Sequence, residues 1–320
     1  MHWHRVIQVL CVLPLAVVLL IVGCALYVHF RGKKRHTFRR QLTDHSTFLA
    51  PYNAMIYLAS SVKNKPILDL ADFPQLAVLR ENWQMIRSEA ERLHDSGDLR
   101  AAEKRNDLAF NAFFKRGWRR FYLKWYDDFL PSAQEICPKT VELLRSMPDV
   151  HAALFALLPA GAKLGEHRDP FAGSLRYHLG LITPNSDRCK IFVDGIPYSW
   201  RDGEAVLFDE TYIHSAENDT EQDRLILFCD VARPMWNPLA RLINYVVVHT
   251  LIKATAAQNR ETEKIGFLNR FSGYFYKLGS AAKSLKKKNR KLYKRLNLAL
   301  NVGVIGVVLG ITLWLVLRKW

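Results

Sequence analysis

At 320 residues, 49% of them hydrophobic, the chain is long enough to bury one sizeable core and too short for several. Its formal net charge of +16 would suit a nucleic-acid partner, but the excess is stacked beside two uncharged apolar runs instead of being spread over a folded face, which argues against nucleic acid. Five cysteines, two of them inside an apolar run, have neither paired nor zinc-binding spacing, so no disulfide framework is expected and a reducing compartment fits.

Residues 6–30 carry no charge, and roughly 20 apolar residues cross a bilayer as a helix, so a transmembrane helix is predicted there. A cleaved signal peptide is the competing reading, because Ile21-Val22-Gly23-Cys24 resembles a lipoprotein processing site. The run is longer than a signal core, however, and the basic cluster that follows opposes export of what comes after it. Residues 298–317 form a second uncharged run and a second predicted span. Arg31, Lys33, Lys34, Arg35, Arg39 and Arg40 follow the first run, and a lysine-rich stretch from Lys283 to Arg295 precedes the second. Both clusters face the intervening residues. The positive-inside rule then puts 31–297 in the cytoplasm, anchored at both ends in the inner membrane and drawn to anionic phospholipid headgroups.

Between the spans, Leu76, Leu79, Trp83, Ile86, Ala90 and Leu93 recur in steps of three and four, which predicts an amphipathic helix over 74–95. Beyond it the texture changes to short apolar segments broken by turns. Strands are predicted at 118–124, 151–158, 175–182, 190–193, 196–200, 205–208 and 224–231, with Asp194-Gly195 as a hairpin signal and Asp202-Gly203 as a second turn. Several short strands at close spacing imply an antiparallel sandwich or barrel. Trp118, Trp125 and Trp200 read as core aromatics. The folded domain is expected over 50–235, with its β core at about 118–232. A further helical stripe at 239–251 and a basic juxtamembrane segment fill 236–296, the stripe packing on the domain or lying on a membrane surface.

His167-Arg168-Asp169 offers an imidazole and a carboxylate one residue apart, after a strand and a turn-rich stretch. Downstream, His214 can be folded back by the intervening hairpins. Two histidines and one carboxylate on one face of iron(II) leave three positions for co-substrate and oxygen. Asp209 and Glu210 compete for the carboxylate role, although a solvated turn is the simpler reading of that pair. Arg224, ten residues past His214, has the fork that grips a carboxylate through two hydrogen bonds. His178 shares a strand face with Arg176.

These residues resemble the aspartyl/asparaginyl beta-hydroxylase family, most closely its bacterial lipid A 2-hydroxylase branch. The resemblance covers roughly 70–235. It is carried by His167-Arg-Asp-Pro-Phe-Ala-Gly-Ser-Leu-Arg-Tyr-His-Leu-Gly-Leu181, Trp200-Arg-Asp-Gly-Glu204, Phe208-Asp-Glu-Thr-Tyr-Ile-His214 and the run from Arg224 to Pro234. It implies an α+β chain whose catalytic domain is a double-stranded β-helix, or jelly roll, with flanking helices. It further implies iron(II) on His167, Asp169 and His214, with 2-oxoglutarate and O2 as co-substrates. Arg224 would hold the distal carboxylate of 2-oxoglutarate, and Arg176 and His178 would lie near its other end. Animal members that hydroxylate aspartate or asparagine carry glycine at the position of Asp169, so the complete triad leans toward hydroxylation of a lipid A acyl chain at its 2-position. The alternatives are a protein aspartyl/asparaginyl hydroxylase and a non-enzymatic membrane scaffold that keeps the fold.

Overall fold

The computed structural model describes residues 2–41, 44–100, 107–297 and 299. The chain divides into two compact units, Met1–Leu26 with Gly273–Trp320, and Tyr27–Ser272. The first predicted span falls in the helix His2–Phe30, and the second, 298–317, lies outside the described residues. Among the described residues no helix is long and apolar enough to cross a membrane, so neither span is borne out there.

Eleven strands build the unit Tyr27–Ser272. They are β1 Ile67–Leu68, β2 Arg119–Trp125, β3 Asp128–Phe129, β4 Val150–Leu158, β5 Lys163–His167, β6 Ser174–Ile182, β7 Cys189–Val193, β8 Ile196–Ser199, β9 Ala205–Phe208, β10 His214–Asn218 and β11 Arg224–Ala232. A seven-stranded sheet has the order β1-β9-β6-β11-β4-β2-β3, and a four-stranded sheet the order β5-β10-β7-β8. Every paired strand is antiparallel. From β4 onward the chain passes back and forth between the sheets, which is the winding of a jelly roll and the fold class expected. Strands β4, β6 and β11 are buried on both faces because the large sheet is covered on one side by helices and on the other by the small sheet.

The Asp194-Gly195 hairpin forms as expected. Both residues adopt positive φ, 53° and 84°, and Val193 pairs with Ile196 across a two-residue turn. The single helix predicted over 74–95 is instead a short 3-10 turn, Pro74–Leu76, followed by Ala77–Glu81 and Trp83–Asp95. The break falls at Asn82, whose side-chain amide donates to the Val78 carbonyl at 2.8 Å and competes with the helical ladder. Helix Trp83–Asp95 packs on β6. Its buried Glu89 accepts from the amides of Lys139 and Thr140, at 3.1 and 2.8 Å, and so caps the helix Pro138–Arg145. Cys24, Cys137, Cys189 and Cys229 are free, as expected of a chain without a disulfide framework.

Arg31 departs from the expectation of a lipid-facing cation. Its guanidinium lies 3.7 and 4.0 Å from the ring centres of Tyr57 and Tyr212 and pairs with Asp209 at 2.5 Å. Arg233 meets the same carboxylate at 2.7 Å. Asp209 is therefore an internal counter-ion, and the solvated turn expected at Asp209 and Glu210 is corrected: both are buried. The chain here is also pinned to the domain through its backbone, the amides of Lys33 and Lys34 donating to the Asp194 carboxylate at 2.9 and 2.7 Å while both residues stay exposed.

Candidate metal centre and its cavity

β5 ends on His167 and β10 begins on His214, and the two are direct cross-strand partners with ring centres 4.2 Å apart. Backbone pairing, with no loop involved, therefore joins residues distant in sequence. Each Nδ1 lies against a main-chain carbonyl, Gly165 at 2.8 Å for His167 and Tyr212 at 3.0 Å for His214. A neutral imidazole that donates from Nδ1 presents its lone pair at Nε2, the arrangement that orients a metal ligand. Asp169 sits two residues past β5, its amide donating to the Glu210 carbonyl at 2.9 Å. Ligand atoms of His167, Asp169 and His214 lie within 4.8 Å of one another. Two imidazoles and one carboxylate on one side of a point fit iron(II). Phe113 closes one flank, its ring 4.9 Å from that of His167.

Electrostatics suit the same purpose. Burial alone would raise the Asp169 carboxyl, but Arg176, His214 and His167 outweigh it and hold it at about 2, so it is an anion. Burial, reinforced by His167, pushes the His214 imidazole down to about 3, so its lone pair stays free of a proton.

Arg176, on β6, lines the same cavity but already has its partners. It pairs with Asp230 at 2.8 Å, with Asp169 at 3.0 Å and with Glu210. Burial works against its charge, yet Asp230, Glu210 and Asp169 hold its pKa above the ordinary range. One guanidinium cannot neutralise three carboxylates. Burial accordingly raises Glu210 well above the usual carboxylate range despite Arg176, with Asp230 and Asp169 adding to the effect. Arg176 thus braces the Asp169 carboxylate, and the geometry gives it no free fork for a co-substrate.

Arg224, the first residue of β11, is the opposite case. It is 2% exposed, its Nε has no hydrogen-bond partner, and no carboxylate lies within ion-pairing distance among the described residues. The face of Trp200 lies 4.3 Å from its guanidinium carbon. Burial pushes its pKa down to about 10. His178 is next to it in character: buried, with neither ring nitrogen paired, and held well below its ordinary pKa by burial together with Arg176 and Arg224. His167, Asp169, Arg176, His178, His214 and Arg224 all line one cavity, whose remaining wall is largely aromatic and aliphatic.

The structure thus brings every sequence-predicted site residue to one place. It also shows what sequence reasoning missed: Phe113 beside His167, Trp200 under Arg224, and the carboxylates Glu210 and Asp230 around Arg176. Glu210 had a signal, since it sits in the run that leads to His214. Asp230 likewise sits in the run from Arg224 to Pro234, whereas Phe113 had no signal, because long-range packing alone places it.

Residues 80–234 match the family model Aspartyl/Asparaginyl beta-hydroxylase. The chain is 33% identical over 191 residues to the ornithine lipid ester-linked acyl 2-hydroxylase of Rhizobium tropici, a match covering 59% of this chain and 68% of that protein. It is 28% identical over 172 residues to the human aspartyl/asparaginyl beta-hydroxylase, covering 51% of this chain and 22% of the human one. Among solved structures, a prolyl-4-hydroxylase from Pseudomonas putida is 19% identical with a TM-score of 0.34, over 48% of this chain and 87% of that one.

Proposed function

Because the chain belongs to the aspartyl/asparaginyl beta-hydroxylase family and is a hydroxylase that uses iron(II), 2-oxoglutarate and O2, we propose that it hydroxylates an acyl chain of a membrane lipid at the carbon next to the carbonyl. The observation that carries the lipid reading is the match to a relative named as a lipid acyl 2-hydroxylase over 68% of that relative's length. The intact His167, Asp169 and His214 cluster keeps the chain an enzyme and argues against a scaffold. Lipid A is the specific lipid this reading names. The two uncharged runs and their basic flanks support a place at the inner membrane with the catalytic unit in the cytoplasm.

In this proposal His167, Asp169 and His214 hold the metal, and the two main-chain carbonyls on Nδ1 keep both rings aimed. Bound iron with 2-oxoglutarate and O2 supplies the oxidation, in which one oxygen atom enters the C–H bond and the other leaves in succinate as CO2 is released. Arg224 grips the distal carboxylate of 2-oxoglutarate: a buried cation without a counter-ion gains both a charge partner and two hydrogen bonds. His178 borders the co-substrate and Trp200 supports Arg224 from below. Arg176 keeps Asp169 ionised and fixed in place.

Lipid mass spectrometry is the test. Expressed in a bacterium without this activity, the wild-type chain should add one oxygen to a secondary acyl chain of lipid A, and the His214→Ala form should not. An oxygen on an amino-acid-linked lipid instead would keep the acyl hydroxylase and change its lipid. Succinate formed only with a membrane-proximal peptide would replace both with protein hydroxylation, the second reading, which the human relative's name favours.

A further inference from the structure

The helix Pro238–Val247 turns its apolar residues the wrong way for a core. Its inward face is Ala240 and Asn244, with Asn244 accepting from the Tyr52 hydroxyl at 2.6 Å. Leu239, Leu242, Tyr245 and Val246 are 63%, 59%, 59% and 50% exposed on the outward side. An ordinary surface helix does the reverse. The stripe does not stop at the helix ends. Before it, Trp236 is 64% exposed and donates from its indole to the Leu58 carbonyl at 3.2 Å, while Leu58 itself is 74% exposed. Beyond it lies Leu251, 54% exposed. Single exposed apolar residues are ordinary, but a contiguous row marks an interaction surface.

Charge identifies the occupant. Residues 236–271 contain five Lys or Arg against two Glu. Glu263 is turned inward, accepting from the amides of Ser132 and Asn259 at 2.8 Å each. Arg241, Lys264 and Arg270 are exposed, with no ion pair among the described residues. Long apolar side chains and tryptophan bordered by unpaired cations are what an anionic lipid interface takes up. A partner protein or a second copy would have to match that excess of like charge, and a second copy would repeat it.

We propose that the row running from Leu58 and Trp236 through Leu239, Leu242 and Val246 to Leu251 is the face on which the unit Tyr27–Ser272 docks flat on an anionic bilayer. This deepens the lipid-hydroxylase reading and rests on it for its purpose. The inner side of the same helix meets the metal loop: Tyr52, bonded to Asn244, stacks on Phe171 with ring centres 5.7 Å apart, two residues past Asp169. Docking would therefore fix the metal loop at a set distance from the lipid.

The test uses the full chain reconstituted in vesicles of phosphatidylethanolamine with phosphatidylglycerol that carry a diazirine-bearing phospholipid. Photolabelling is mapped by mass spectrometry of peptides, alongside lipid-independent succinate formation. The wild type should take label within 236–251, and Leu242→Asp with Val246→Asp should lose it about tenfold or more, with unchanged succinate formation. Both positions are exposed, so folding is not at stake, and Arg241→Glu provides a second variant that should lower labelling in anionic vesicles only. An unlabelled 236–251 peptide, or equal labelling of the aspartate variant, overturns the proposal. So does efficient cross-linking of Leu242→Cys between two copies in detergent without lipid label, which would assign the face to a second copy. A chain that labels at 236–251 yet modifies no lipid upholds the docking face and removes the substrate reading instead.

Discussion

Two buried arginines on neighbouring strands face the same cavity and have opposite surroundings. Arg176 is ringed by Asp169, Glu210 and Asp230, whereas Arg224 has an aromatic face and no anion. The first has its charge reinforced and the second has it weakened. A buried cation without a partner costs free energy, and a fold keeps one where a ligand supplies the missing charge. The comparison therefore separates a cavity half whose cation is paired as folded from a half whose cation is left without an anion, the half to which 2-oxoglutarate is assigned in the proposed function.

The most severe way to break the first half is to remove a proposed ligand. His214→Ala should abolish iron binding and all succinate formation, since two remaining ligands cannot hold the ion on one face. Metal analysis of the purified variant checks it, and stoichiometric iron with normal turnover would refute the assignment. Next in size, Arg176→Met removes the cation shared by Asp169, Glu210 and Asp230 and should lower stability by about 3–5 kcal/mol, visible as a fall in thermal midpoint and in iron retention.

Arg224→Met sharpens the contrast by doing the reverse. Its thermal midpoint should hold or rise, because an unpaired buried charge is removed. The KM for 2-oxoglutarate should rise by roughly 30-fold or more, the loss expected when one partner of a buried charge pair is truncated. Steady-state kinetics beside a melting curve would show both, and a falling midpoint with unchanged KM would mean that Arg224 is structural after all.

The smallest effect belongs to His178. Its folded pKa lies below the ordinary 6.5, so the unfolded chain takes up a proton that the buried ring refuses. The stability it leaves intact is full above about pH 6.5 and declines as the pH falls below that value. His178→Asn should make the thermal midpoint fall less steeply between pH 6.5 and lower pH than in the wild type. Parallel slopes in a melting series would assign the acid sensitivity to other groups.

Much of this was legible in the sequence. All seven predicted strands fall within a residue of observed ones, because β2, β4, β6, β7, β9 and β11 are rich in apolar residues and Asp194-Gly195, whose residue types carry its turn type, sets where β8 begins. β5 and β10 were not predicted. Lys-Leu-Gly-Glu-His and His-Ser-Ala-Glu-Asn have no apolar pattern, since the small sheet is largely open to solvent along β5 and polar along β10. Those two strands are the ones that carry the histidines.

Residue types and spacing alone put forward two histidines, His167 and His214, with Asp169 as a carboxylate rivalled by Asp209 and Glu210, and an antiparallel sandwich or barrel, because metal-ligand chemistry and apolar runs are local properties. The full ligand set, the role of Arg224 and the jelly roll came from the family resemblance. Tertiary structure decided which arginine is free. Along the chain both Arg176 and Arg224 are assigned to the co-substrate, and the register of β6 against β11, which sets Asp230 opposite Arg176, gives Arg176 one of its three anions. It likewise decided that Arg31 serves Asp209 inside the fold and that the Pro238–Val247 stripe faces outward. Burial and pairing depend on which segments meet, and no local pattern of residues encodes that.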